Sequence, residues 1–255
     1  MPDDARDAMN RLLQASGTPP DDHDPFVVDG TPVAPERVID LLAPLMTASR
    51  LAGIRQTVER RTRTVVPVIE GIVNTGNVSA VMRSAEAMGY QDLHVVAGAH
   101  ERFKTSTRTA KGAQRWLDVW QWDAPEACAT QLQEQGYRVL TFALSDAARP
   151  IGAFDFTEPT ALVFGNEKGG VTQAMRAAAD ADCLIPMDGF TESFNISVAA
   201  ALGLYHARAD RVRRQGRHAD LSDAEQTRLV ARFCMRSITN ARKVLARRLQ
   251  DAEAG

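Results

Sequence analysis

The chain has 255 residues, 44% of them hydrophobic and 24% charged. That composition is ordinary for a globular protein, and at roughly 150 residues per domain it allows one large domain or a domain with helical extensions. Thirty Lys and Arg stand against 32 Asp and Glu, a formal net charge of −2; this excludes a uniformly basic nucleic-acid coat but not a nucleic-acid enzyme, because affinity follows local clusters rather than the sum.

Residues 1–34 are acidic and punctuated by Gly17, Pro19, Pro20 and Pro32, and weak structure is expected there. The start, MPDDARDAMNRLLQ, holds no apolar run of the signal-peptide kind. From residue 35 to 63 the spacing of Leu41, Leu42, Leu45, Leu51, Ile54 and Val58 is helical. Pro44 divides it into two short helices, followed by the basic run Arg55, Arg60, Arg61 and Arg63. Residues 64–213 alternate β-rich and helical stretches. Strands are expected at 64–73, 93–98, 116–122, 137–144, 160–165 and 183–187, and helices at 77–89, 124–136, 171–181 and 193–214. This order predicts an α/β fold, a parallel sheet with helices on both faces. The last helix of that set is apolar nearly all round and is expected to be buried. Residues 214–255 are read as a linker and one basic amphipathic helix over 221–250, capped by Ser222 or Asp223.

Cys128, Cys183 and Cys234 are odd in number and match no metal spacing. They read as reduced thiols, and no metal site is expected. No stretch approaches 18 apolar residues, so no membrane span is expected, and the expected compartment is the cytoplasm.

Three segments follow or end predicted strands, where open parallel sheets bind ligands. In 72–89, Asn74 and Asn77 lie at a strand-to-helix turn and Arg83 lies within the helix. They are either helix caps and a surface charge, or a polar cluster able to grip a phosphate or hydroxyl. In 162–172, Gly165, Asn166, Glu167, Lys168, Gly169 and Gly170 join a strand to a helix. The segment is neither a Walker A loop nor a G-x-G-x-x-G turn, which weakens nucleotide readings. In 184–205, Ile185-Pro186-Met187 and Gly189 precede Ser193, Phe194 and Asn195 at a helix start. Either Thr191 or Ser193 caps that helix, or the polar pair serves a site. A serine nucleophile is disfavoured because no G-x-S-x-G elbow surrounds Ser193.

Taken together the segments resemble the three motifs of the SPOUT superfamily, and within it the SpoU/TrmH family of RNA ribose 2′-O-methyltransferases. The first motif is matched by Asn77, Ala80, Arg83 and Gly89. The second is matched by Phe164, Gly165, Glu167 and Gly170, and the third by Ile185, Pro186, Met187, Gly189, Ser193, Asn195, Ser197 and Ala199. The resemblance covers roughly residues 64–210. It implies a parallel α/β sheet ending in a deep C-terminal trefoil knot, with S-adenosylmethionine as cofactor, held at Phe142, Gly165, Asn166, Ile185, Met187 and Phe194. It implies Arg83 at the reacting 2′-hydroxyl, with Asn77, Glu167, Ser193 and Asn195 orienting Arg83 and the ribose. It implies a homodimer acting on RNA, with tRNA first (a D-loop guanosine as the specific target) and ribosomal RNA second. The basic blocks at 50–63, 102–115 and 208–217 would grip phosphates. A non-catalytic RNA-binding relative is the alternative, disfavoured because Arg83, Glu167, Ser193 and Asn195 are all present. A dinucleotide enzyme is disfavoured by the missing glycine turn.

Overall fold

The structure, a computed structural model, describes residues 26–28, 30–71, 75–97, 112–166 and 168–253. Asn74, Glu167, most of the basic block 102–115 and most of the acidic segment 1–34 lie outside the described residues. The chain divides into two compact units. One is Thr62–His218; the other joins 26–61 with 219–253.

The first unit is built on seven strands: β3 (Val65–Glu70), β4 (Asp92–Val96), β5 (Asp118–Trp122), β6 (Arg138–Phe142), β7 (Arg149–Pro150), β8 (Thr160–Phe164) and β9 (Ala181–Leu184). Their order is β5-β4-β3-β8-β6-β9-β7, and every pairing is parallel. Strands β3, β4 and β8 are buried at every position. That is why they read as continuous apolar runs rather than as alternation. Between them lie α3 (Thr75–Met88), α4 (Pro125–Glu134), α5 (Gln173–Ala178) and α6 (Ile196–Gln215).

Two apolar layers hold these elements. Ile69, Leu93, Leu140, Leu162 and Phe164 on one face of the sheet meet Val78, Met82 and Ala85 of α3 and Ala200, Leu204 and Ala207 of α6. Val68, Val96, Val139, Ala161 and Val163 on the other face meet Cys128 and Leu132 of α4 and Met175 of α5. Helices therefore cover both faces, as the alternation of elements predicts. Gly89 (φ 92°) and Gly136 (φ 87°) follow α3 and α4 in the left-handed region, where glycine ends a helix without strain. The two-residue strand β7 has too little sequence for periodicity to reveal.

Helix α6 departs from expectation. One side is packed, but Val198, Leu202, Tyr205 and Val212 are 40% to 61% exposed. With Ala209, which is also exposed, they recur at intervals of four and three residues. This is the spacing of an apolar seam between helices.

The second unit begins with an antiparallel hairpin, β1 (Phe26–Val28) and β2 (Thr31–Val33), turning at Gly30 with φ 82°. Weak structure was expected over 1–34, but the β-favouring FVV and TPV segments pair across this glycine. Helices α1 (Pro35–Leu42) and α2 (Ala48–Val58) follow, separated at Pro44 by a 3-10 turn. The tail forms two helices, α7 (Asp223–Ser237) and α8 (Ala241–Glu253), instead of one. The break is local: Asn240 takes φ 54°, a conformation asparagine tolerates better than most residues. Ser222 caps α7 in a reciprocal capping box with Glu225. Val38, Ile39, Leu42, Ile54, Val58, Val230, Phe233, Cys234 and Leu245 form this unit's interior.

Candidate active site

The three candidate segments follow strands that end side by side. Ile69 of β3 is in register with Phe164 of β8, Phe164 with Phe142 of β6, and Phe142 with Cys183 of β9. The segments beginning at Gly71, Ala143, Gly165 and Ile185 therefore leave the sheet at one edge. The three sequence motifs, separated by up to about a hundred residues, share this edge.

The ends of β6 and β8 carry an aromatic pair. Phe142 and Phe164 stack with centroids 4.4 Å apart, and α6 passes so close that a Cβ on Gly203 would stand 3.0 Å from Phe142 and 3.1 Å from Phe164. Above them the 165–172 loop is tightly closed. A Cβ on Gly165 would fall 2.0 Å from the Gly170 carbonyl carbon. The Gly170 N–H donates to the Asn166 carbonyl at 2.9 Å, and Asn166 Oδ1 accepts from the Lys168 and Gly169 N–H groups. Asn166 also abuts Gly71, where a Cβ would lie 2.3 Å from its Nδ2. Ile185 and Met187 are half-buried beyond β9; Ser193, Phe194 and Asn195 are exposed.

Asn195 is the N-cap of α6. Its Oδ1 accepts from the Ser197 N–H at 2.9 Å and from Ser197 Oγ at 2.6 Å. The cap is thus Asn195 rather than Thr191 or Ser193, and neither of those is needed for it. Arg83 is exposed on α3, and Asn77 is half-buried in its first turn. Six helical residues separate them, about 9 Å along the axis and about 120° around it, so they do not share a face.

Two carboxylates that sequence reading passed over, one buried and one half-buried, hold these loops. Glu70, at the end of β3, is 2% exposed. It accepts from Thr172 Oγ1 at 2.5 Å and from the Thr172 N–H at 2.9 Å. Thr172 in turn caps α5, accepting from the Met175 N–H. Burial pushes the Glu70 carboxyl above its ordinary range, and the two Thr172 bonds partly oppose it. Asp182, on β9, accepts from Thr141, Ser145 and Arg176. Burial pushes its carboxyl up, but these donors outweigh that and hold it below the usual carboxylate range. Glu70 is an acid inside an expected strand, while Asp182 falls between an expected helix and an expected strand, and the partners of neither are visible in sequence.

Some cations expected to meet phosphate are committed within the protein. Arg63 reaches Asp92 at 2.6 Å and Asp118 at 2.8 Å. Arg61 is 1% exposed. Arg211 is buried and donates to the carbonyls of Phe156 and His218. Arg213 and Arg214 pair with Asp210. Arg55, Arg60, Arg208 and Arg217 are exposed. The three cysteines are buried, and burial pushes the Cys183 thiol up to about 12 and that of Cys234 to about 11. Among the described residues, no cluster of His, Cys, Asp and Glu is placed to hold a metal ion. Nor is any described helix long and apolar enough to cross a membrane.

Residues 64–205, more than half of the chain, match the family described as SpoU rRNA Methylase. The chain belongs to this SpoU methylase family. A tRNA (guanosine(18)-2′-O)-methyltransferase of Escherichia coli is 35% identical over 189 residues, covering 72% of this chain and 82% of that relative. Among solved structures, the TrmH/SpoU tRNA modifying enzyme of A. aeolicus aligns with a TM-score of 0.69 at 26% identity. The alignment covers 75% of this chain and 98% of that one. The SpoU methyltransferase AviRb from Streptomyces viridochromogenes, in complex with AdoMet, aligns with a TM-score of 0.52 at 26% identity, covering 62% and 61%. The SpoU match contains all three motif segments and both Glu70 and Asp182, while 26–61 and 219–253 lie outside it.

Proposed function

We propose that this SpoU methylase transfers a methyl group from S-adenosylmethionine to a ribose 2′-hydroxyl of tRNA, at a D-loop guanosine. The observation that carries the reading is the shared edge, where four strands ending in register bring the family's three motifs together. The 35% identical relative supports tRNA as the substrate.

The residues fit the cofactor. The half-buried ring of Phe142 offers an apolar surface to an adenine ring, and the peptide groups at Gly165, Asn166, Ile185 and Met187 suit its polar edges. Gly165 leaves no space for a side chain of its own. Phe194 completes the set at the mouth of α6. When bound, S-adenosylmethionine supplies an electrophilic methyl carbon. Arg83 acts on the other reactant. A guanidinium is a poor base, so its part is to stabilise the alkoxide charge developing on the 2′-oxygen. Glu167, Ser193 and Asn195 orient Arg83 and the ribose. Asn77, on a different face of α3 from Arg83, serves the ribose side.

Two architectural readings accompany this one. The C-terminal part of the sheet forms a trefoil knot. Supporting it, β8 lies between β3 and β6 while β9 lies beyond β6, so the chain recrosses its own path after β8. The enzyme is a homodimer joined along the exposed seam of α6, which supports the reading because monomeric proteins seldom leave such a stripe in water. The compartment is the cytoplasm, in keeping with a tRNA substrate.

Incubation with labelled S-adenosylmethionine and unmodified tRNA, followed by mapping of 2′-O-methyl groups, tests the function. Methyl transfer to the D-loop is expected. Absence of transfer to any RNA while the cofactor still binds would refute it. Arg83→Ala should abolish transfer and leave cofactor affinity nearly unchanged; lost cofactor binding in that variant would mean that Arg83 has another role.

A further inference from the structure

The segment after β6 leaves the sheet and returns to it. The Ala143 N–H makes a last strand-like bond to the Cys183 carbonyl at 3.2 Å. A turn then closes from the Ala148 N–H to the Ser145 carbonyl at 3.0 Å, and β7 pairs back onto β9 through Arg149 and Cys183. Between departure and return, one side chain ties this excursion to the sheet: Ser145 Oγ donates to Asp182 at 2.6 Å. The same carboxylate accepts from Thr141 Oγ1 of β6 at 2.5 Å and from Arg176 Nη2 of α5 at 2.6 Å. It is 13% exposed.

An ionised carboxylate suits this junction because it only accepts, and its two oxygens have room for about four donors. An amide in its place would turn an NH2 group towards other donors. The position matters as much as the chemistry. Asp182 lies three residues before Ile185 and five before Met187, Thr141 immediately precedes Phe142, and α5 is continuous with the loop that starts at Gly165. Both groups of peptide atoms assigned to the cofactor, at Gly165–Asn166 and at Ile185 and Met187, and the aromatic ring of Phe142 are thus rooted in elements that this carboxylate joins.

We propose that Asp182 is a positioning residue for the cofactor: it fastens the segment 143–148 and helix α5 to β9, and so fixes the spacing of the peptide groups that receive S-adenosylmethionine. The inference rests on the cofactor reading above and adds to it a residue outside the three motif segments. Asp182 acts through the loops it holds and is not itself a catalytic group.

The test uses the full chain and three variants. Ser145→Ala removes the tether without touching Asp182, Ser145→Thr keeps the hydroxyl, and Asp182→Asn weakens the whole junction. In the cofactor-free protein, amide hydrogen exchange over 143–148 should speed up in Ser145→Ala and return towards wild type in Ser145→Thr. Calorimetric titration with S-adenosylmethionine should show about tenfold weaker binding in Ser145→Ala, the order expected for one charge-assisted hydrogen bond, again recovered in Ser145→Thr. The loss should be greater in Asp182→Asn. At saturating cofactor, kcat for Ser145→Ala should stay within about twofold of wild type, because the loss lies in binding; a purely structural role would not divide KM from kcat in this way. Equal cofactor affinity in wild type and Ser145→Ala overturns the proposal, as does a loss that Ser145→Thr fails to recover. Failure of the wild-type chain to bind S-adenosylmethionine overturns the cofactor reading instead, and the exchange data on the cofactor-free chain keep the two failures apart.

Discussion

Replacing Gly165 with alanine adds one methyl group at a place where the structure has no room for it. The φ of Gly165 is not in the left-handed region, so the obstacle is space alone. The new Cβ would lie 2.0 Å from Gly170 C, 2.1 Å from Val171 N and 2.3 Å from Gly170 O, whereas ordinary contact begins at 3.4 Å. These are backbone atoms, so no side-chain rotation relieves the clash, and the 170–171 peptide must retreat by about 1.4 Å. The retreat opposes the Gly170 bond to Asn166 and the Thr172 bonds to Glu70. Overpacking costs about 1–3 kcal/mol, and weakening one or two of these hydrogen bonds adds roughly 1–2 kcal/mol. A destabilisation of about 2–5 kcal/mol is therefore expected in urea unfolding, with S-adenosylmethionine binding weakened more than about tenfold because the displaced peptide packs against Gly165 of the proposed site. Gly169→Ala is the control: its Cβ would meet only Asn166 Oδ1, at 3.9 Å, and its stability should stay within about 0.5 kcal/mol of wild type. A Gly165→Ala protein as stable as the Gly169→Ala protein, and binding cofactor normally, would refute the reasoning.

Other substitutions separate roles that look alike in sequence. Arg60→Ala should weaken tRNA binding and reduce the slope of log affinity against log salt by up to about one unit, whereas Arg61→Ala, at a buried position beneath Phe233, should mainly lower stability; an Arg61→Ala protein of unchanged stability would count against this division. Glu70→Gln bears on pH. Burial raises the Glu70 pKa above the ordinary 4.5, so ionisation in the folded state opposes folding. The stability of the variant relative to wild type should therefore climb as pH rises from 4.5 through the folded-state value and be flat below 4.5. Altered bonding to Thr172 adds only a pH-independent offset. Unfolding free energies at pH 4 and pH 8 that differ between the two proteins by the same amount would rule this out. Leu202→Glu, in the exposed seam of α6, should yield monomers in sedimentation; a variant that stays dimeric would count against the seam as the interface.

What was legible in sequence follows the physics of each element. Strands β3, β4 and β8 are buried on both faces, so their apolar runs stand out, and Gly89 and Gly136 mark helix ends. The motif residues could be placed because they begin at strand ends, which a pattern of apolar runs locates well. Three features escaped for definite reasons. The side of α6 left exposed could not be told from the packed side, because both are apolar. The break at Asn240 depends on one residue's left-handed backbone in an otherwise helical pattern. Glu70 and Asp182 bond to residues up to about a hundred positions away, and neither spacing nor periodicity carries that information.

The same long-range pairing explains why a net charge of −2 says little about RNA. In the first unit Asp92 and Asp118 share Arg63, Asp182 pairs with Arg176, and Asp210 pairs with Arg213 and Arg214. These four arginines and four acids enter the formal sum but project less field into solvent, because opposite charges lie within a few ångströms of one another. A count of charges weights Arg63 and Arg60 equally, yet one closes a partly buried ion pair and the other stands in water. Attraction for a phosphate backbone depends on the second kind alone. An enzyme that must fold its sheet edge precisely and also hold a polyanion therefore needs arginine for two separate purposes, and near-neutrality is what remains when the first purpose consumes acids in step.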